Sequence, residues 1–94
     1  METEDRTVLT ARVTGRVQGV SFRDWTRAEA TGLGLTGWVR NRDDGSVEAL
    51  LAGPSDRVAD MVRRLHEGPA AARVTDVATA PSGSPAPEGF TIAG

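Results

Sequence analysis

The run Gly15-Arg16-Val17-Gln18-Gly19-Val20-Ser21-Phe22-Arg23 holds the residues best suited to chemistry in this chain. Two glycines bracket a short loop, and the sequence after it predicts a helix that begins at Ser21 or Phe22. A loop of this kind can aim several backbone N–H groups at one point. The first turn of a helix adds its own unpaired donors and the positive end of its dipole. Arg23, inside that turn, contributes a planar fork of donors that matches two phosphate oxygens. The combination reads as an anion cradle. Taken alone, the loop fits equally an ordinary tight turn with a solvated arginine. It matches neither the GxxxxGK(S/T) nor the GxGxxG phosphate pattern, and the chain has no lysine to serve as a Walker residue. All 11 basic residues are Arg and alanine is abundant, a pattern that coding bias produces. Arginine at any one site is therefore less informative than usual.

The elements that must position this loop follow from periodicity. Residues 7–14 place Leu9, Ala11 and Val13 on one face and Thr10 and Arg12 on the other, which predicts a half-buried strand. Ser21 fits an N-cap, with Asp24 three positions on in the manner of a capping box. The helix then spans residues 22–33, with Phe22, Thr26, Ala30 and Leu33 towards the core and Arg27 and Glu29 nearer solvent. Gly32 costs helix stability, and Gly34 is the stop. Residues 35–41 form a second strand. Asp43-Asp44-Gly45 is a hairpin turn, because Asp and Gly tolerate positive φ, and residues 46–52 return as a third strand. Gly53-Pro54-Ser55 ends it, with Ser55 as the cap of a second helix. There Val58, Met61, Val62 and Leu65 fall at i, i+3, i+4 and i+7, and Gly68-Pro69 terminates it. Residues 73–78 form a fourth strand, 81–87 a Pro/Ser/Gly-rich loop, and 90–93 a short terminal strand. No internal repeat is visible.

This order gives an α+β fold: a ferredoxin-like split βαβ sandwich, with an antiparallel four- to five-stranded sheet and two helices on one face. Each crossover helix is expected to pass right-handed between neighbouring parallel strands. Ninety-four residues make one domain, 1–94. With 38% hydrophobic residues, two Trp and two Phe, its core rests on Val, Leu and Ala. The absence of cysteine excludes disulfides, a thiolate nucleophile and Cys-based metal sites. The single histidine, His66, excludes multi-His metal centres and leaves little room for a histidine triad. Met1-Glu2-Thr3-Glu4-Asp5 is acidic and lacks the apolar stretch of a signal peptide. No segment approaches membrane-spanning length. A net charge of −2 argues against a general nucleic-acid binder. The expectation is a small cytoplasmic monomer without membrane or nucleic-acid partners.

A second motif, Gly37-Trp38-Val39-Arg40-Asn41, continues through Gly45, Val47 and Gly53. With the Gly15 to Arg23 run it closely resembles the signature pair of the acylphosphatase family. The likeness covers nearly the whole chain, through Gly68-Pro69 to Ala72-Arg73-Val74. It implies a small ferredoxin-like enzyme that hydrolyses acyl phosphates to carboxylate and inorganic phosphate with no metal and no cofactor. By this resemblance Arg23 binds the phosphoryl group and Asn41 positions the attacking water. The backbone of Arg16, Val17, Gln18, Gly19, Val20 and Ser21 forms the phosphate cradle, which phosphate or sulfate would also occupy. The chain departs from the family pattern in its proline-containing loop before Phe90, its ending at Ala93-Gly94, and Gly32 inside the helix. These bear on local stability rather than on catalysis.

The chemistry agrees with the residues. A carboxylate is a weakly basic leaving group and needs no strong general acid, which suits a site without Cys or a nearby His. Phosphoryl transfer mainly demands positioning and stabilisation of charge on the phosphoryl oxygens, which Arg23 and the loop N–H groups can supply. Asn41 is no base, but its amide both donates to and accepts from water. Eighteen positions separate Arg23 from Asn41, enough for a helix to cross the sheet and a strand to return. Other residues have plainer readings. His66 is a surface residue favoured by a helix C-terminus, Asp43 and Asp44 are turn residues rather than a metal pair, and Trp25 and Trp38 pack rather than stack on a ligand. Arg16, Arg40 and Arg42 make the site mouth positive and steer anions, although Arg40 and Arg42 fit equally as solvated strand-end side chains. Two alternatives remain. One is a non-enzymatic ferredoxin-like binding module for single-stranded RNA, which would stack bases on central-strand aromatics, here Trp38 alone. The other is an acylphosphatase-like accessory domain of a larger assembly handling carbamoyl phosphate.

Overall fold

In the computed structural model, which describes residues 5–93, two-residue alternation builds five strands and the 3.6-residue pattern builds two helices. They are β1 (Arg6–Arg16), α1 (Phe22–Gly32), β2 (Thr36–Asn41), β3 (Val47–Pro54), α2 (Ser55–Glu67), β4 (Arg73–Pro81) and β5 (Phe90–Ile92). The acidic opening from Met1 to Glu4 and the terminal Gly94 lie outside the described residues.

The strand order is β4-β1-β3-β2-β5. β1 pairs antiparallel with β3 and β4, and β2 pairs antiparallel with β3. β5 runs parallel to β2, setting Phe90, Thr91 and Ile92 opposite Gly37, Trp38 and Val39. The sheet is therefore mixed, not antiparallel as expected. The reason is geometric. β4 ends where β1 begins, so a chain that crosses to the far edge at that end must start β5 in the direction of β1 and β2. The helices also do not join neighbouring parallel strands. β3 lies between β1 and β2, and β1 lies between β3 and β4, so each helix steps over one antiparallel strand.

Ala11, Val13, Val39, Val47, Ala49 and Leu51 on the sheet bury against Phe22, Ala30 and Leu33 of the α1 region and Val58, Met61 and Leu65 of α2. Thr26 is buried with them, and Val62 lies at the margin, half-buried. Arg64 of α2 reaches Glu29 of α1 at 2.7 Å, and Arg57 donates to the Leu33 carbonyl at 3.0 Å, satisfying an acceptor at the end of α1. Ser55 is not a cap. It is the first residue of α2, after Pro54, and its hydroxyl is taken by Thr7 and by Asp5 Oδ1 from the adjoining start of β1. In the hairpin only Gly45 adopts positive φ, at 93°. Asp44 contributes differently: its carboxylate accepts the Ser46 N–H at 2.9 Å and the Ser46 hydroxyl at 2.6 Å.

Gly15 and Gly32 make a contrast. Gly15 sits where the β1–β4 register shifts, at φ 124°, and a Cβ there would lie 2.1 Å from the Arg73 carbonyl oxygen. Gly32 has open space around its Cβ position. Gly32→Ala is expected to stabilise the fold by roughly 0.5–1 kcal/mol, and Gly15→Ala to destabilise it by more than that. Urea unfolding of both variants checks the pair.

Candidate active site

β1 delivers the chain to residues 17–21, which turn it into α1. Gly19 has φ 76° and Ser21 has φ 61°, the latter the sole positive value at a non-glycine residue among the described residues. A capping side chain reaches the first-turn N–H groups from an extended backbone. Ser21 is left-handed instead, and its hydroxyl makes no capping bond. The expected capping box is absent, and Asp24 pairs with Arg27 at 3.6 Å. Trp25 is the first helix residue whose N–H finds a backbone acceptor, Ser21 O at 3.0 Å. The N–H groups of Phe22, Arg23 and Asp24 precede it and remain without protein acceptors among the described residues.

These donors border a cavity of about 340 Å³ lined by Val17, Gly19, Ser21, Phe22, Arg23, Asp24, Asn41 and Ile92. Arg23 is half-buried and has no carboxylate partner among the described residues. Asn41, the last residue of β2, has a buried Oδ1 that accepts no hydrogen bond from the described residues. An unpaired buried acceptor costs about 1–3 kcal/mol, so a donor arriving there is favoured. Of the residues expected at the site, Arg23, Asn41, Val17, Gly19 and Ser21 meet at this cavity. Arg16, Gln18 and Val20 do not line it. Arg16 ends β1 opposite Arg73, Val20 packs on the core, and the Gln18 amide turns to the β2–β3 hairpin. Ile92 is a wall residue that sequence reasoning missed, although its two-residue spacing from the buried Phe90 marks it as facing the helices.

The acylphosphatase family model matches residues 9–92. The chain belongs to the acylphosphatase family. An acylphosphatase of Sinorhizobium medicae is 55% identical over 91 residues, covering 96% of this chain and 97% of that protein. An acylphosphatase structure from Coxiella burnetii superposes with a TM-score of 0.92 at 34% identity, over 99% of this chain and 100% of that one. One from Bacillus subtilis gives 0.84 at 39% identity, over 92% and 97%. The protein is an acyl phosphate hydrolase, releasing a carboxylate and inorganic phosphate.

The neighbouring arginines of this acylphosphatase are engaged elsewhere. Arg40 and Arg42 both bind Glu48 Oε1, at 2.8 and 3.0 Å, and Arg40 also stacks over Trp38 at 5.2 Å. Burial would raise the Glu48 pKa, but the hydrogen bonds from Arg40 and Arg42 outweigh it and hold the carboxyl below its usual range. Asp44 is lowered by its bonds from the Ser46 hydroxyl and N–H. His66 is exposed near the end of α2. A depressed carboxyl pKa contributes stability that is present above the unfolded value, 4.5 for Glu48, and is lost as pH falls through the folded value. The stability difference between wild type and Glu48→Gln is therefore expected to be flat from neutral pH down to about 5 and to shrink at lower pH. Urea unfolding at several pH values measures it. A difference that ignored pH would assign the effect to packing.

Proposed function

We propose that the loop N–H groups and Arg23 bind the phosphoryl oxygens while the Asn41 amide holds a water in line with the acyl–phosphate bond. The water oxygen attacks phosphorus, the bond to the acyl oxygen breaks, and its electron pair leaves with the carboxylate. The water proton passes to a phosphoryl oxygen of the product. No side chain needs to act as a strong acid, because the leaving carboxylate is already stable. The observation that supports this reading best is the single cavity wall shared by free first-turn donors, an arginine without a carboxylate partner, and Asn41. In-line positioning and charge stabilisation are what phosphoryl transfer requires.

The reaction in this reading uses no metal or cofactor. Asp44 is committed to Ser46, and no three metal-ligating side chains converge among the described residues. The substrate is a free small acyl phosphate met by a cytoplasmic monomer, and the charge of −2 disfavours polyanionic partners. No helix among the described residues is long and apolar enough to cross a membrane.

Acetyl phosphate hydrolysis is expected to persist in chelator. Activity lost to chelator and restored by a divalent ion would reject the metal-free reaction.

The two side chains are expected to differ kinetically. Arg23→Ala should weaken phosphate inhibition and slow turnover together, because it holds the phosphoryl group in ground and transition states. Asn41→Ala should lower kcat by about 10²–10³ with little change in phosphate affinity. Equal loss of phosphate affinity in both would make Asn41 a ligand of the anion instead. Circular dichroism confirms that both variants fold.

A further inference from the structure

Gln18 lies in the middle of the cradle loop, yet its side chain leaves the cavity. Its Nε2 donates to Arg42 O at 2.8 Å and to Ser46 O at 2.9 Å. These carbonyls stand at the two ends of the β2–β3 turn, where the Arg42 N–H donates to Ser46 O at 2.8 Å. Arg42 directly follows Asn41. Both amide hydrogens of Gln18 are thus spent on the hairpin, which fixes orientation as well as distance. No other hydrogen bond among the described residues joins residues 17–21 to this hairpin. The buried Asn41 Oδ1 accepts no hydrogen bond from the described residues, so no such bond fixes it in place.

We propose that Gln18 is a positioning residue that sets the distance between the phosphoryl group in the cradle and the water held by Asn41. This rests on the roles proposed above for the cradle and Asn41. In-line attack needs the reacting atoms within about 3–3.5 Å, and a misplacement of about 1 Å costs on the order of 10² in rate. The cradle rides on the end of β1 and the start of α1, whereas Asn41 rides on the end of β2. Core packing brings these ends to one side of the sheet. The two bonds of Gln18 register the loop against the turn itself. The side chain acts through Asn41 and does not touch the substrate.

The test is a double-mutant cycle on acetyl phosphate hydrolysis, with inhibition by inorganic phosphate measured alongside. Gln18→Met keeps the length of the side chain and removes both donors. It is expected to lower kcat about 10- to 100-fold while the phosphate inhibition constant moves less than about threefold. In the Asn41→Ala background the same change should cost less than about threefold, because there is no longer a placed water to misplace. Losses that multiply across the two backgrounds would overturn the proposal. So would an unchanged kcat, or a phosphate affinity that falls in step with kcat. If Gln18→Met does not fold by circular dichroism, the same cycle with Gln18→Asn decides by the same criteria, since its donors sit on a stem one carbon shorter. Wild-type turnover is measured first. Its absence would overturn the acyl phosphate reading and this proposal together, whereas turnover with multiplicative losses overturns the positioning role alone.

Discussion

Val47 of β3 pairs with Val13 of β1 on one side and with Asn41 of β2 on the other, and the site hangs from this rung of the sheet. Strands lie about 4.7–4.9 Å apart, so Val13 and Asn41 face each other across about 10 Å. Beyond Val13, β1 runs to Arg16 and into the cradle loop. Beyond Asn41 the chain turns back through the hairpin. Gly37 and Val39 are buried towards the helices, so Asn41, two residues further on, shares their face and lies on the side of α1. A slip of one residue would send Asn41 to the opposite face and turn Trp38 and Arg40 towards the helices. What prevents the slip is apolar burial. Val13, Val39, Val47, Ala49 and Leu51 are all buried and all on the helix side. The geometry of a polar site is set here by the packing of valines and leucines.

The start of α1 shows the cost of keeping donors free. Forgoing a side-chain cap costs about 1 kcal/mol, and a left-handed residue such as Ser21 roughly 1–2 kcal/mol more. Phe22, the first residue of the helix, is 1% exposed and its ring lies 5.4 Å from that of Trp25. Fully burying a phenylalanine is worth about 1.5–3 kcal/mol, of the same size as the two losses. The helix is therefore pinned by its apolar side at the point where its polar end stays open. Phe22 also forms part of the cavity wall, so one side chain both anchors the helix and shapes the site.

What was legible in the sequence is what depends on local pattern. The apolar spacing of residues 22–33 located α1, and Phe22, Thr26, Ala30 and Leu33 are buried as the spacing predicts. The two motifs supplied Arg23 and Asn41, which line one cavity. The features that escaped reading are set by partners distant in sequence. The direction of β5 follows from where β4 ends and not from anything in Phe90 to Ile92. The Gln18 amide finds carbonyls at Arg42 and Ser46, which only the folded sheet brings near. Ser21 looks like a cap by residue type, but its left-handed backbone comes from the turn that delivers the chain into α1. Ser55 was diverted in the same way, by Thr7 of β1 and by Asp5 just before it.

A chain whose 11 basic residues are all arginine offers no compositional clue to which one matters. Partner accounting does. Three arginines, Arg23, Arg42 and Arg64, are half-buried. Arg42 is bound to Glu48 and Arg64 to Glu29 and Asp60. Arg23 alone of the three has no carboxylate partner among the described residues. Withdrawing a charge from water costs free energy unless an opposite charge or strong acceptors replace the lost hydration. For Arg42 and Arg64 the fold supplies that replacement. Arg23 instead lines one cavity with the free N–H donors of the α1 first turn, which carry partial positive charge themselves. In the binding mode proposed above, the phosphoryl group meets the guanidinium and those donors together and supplies the counter-charge.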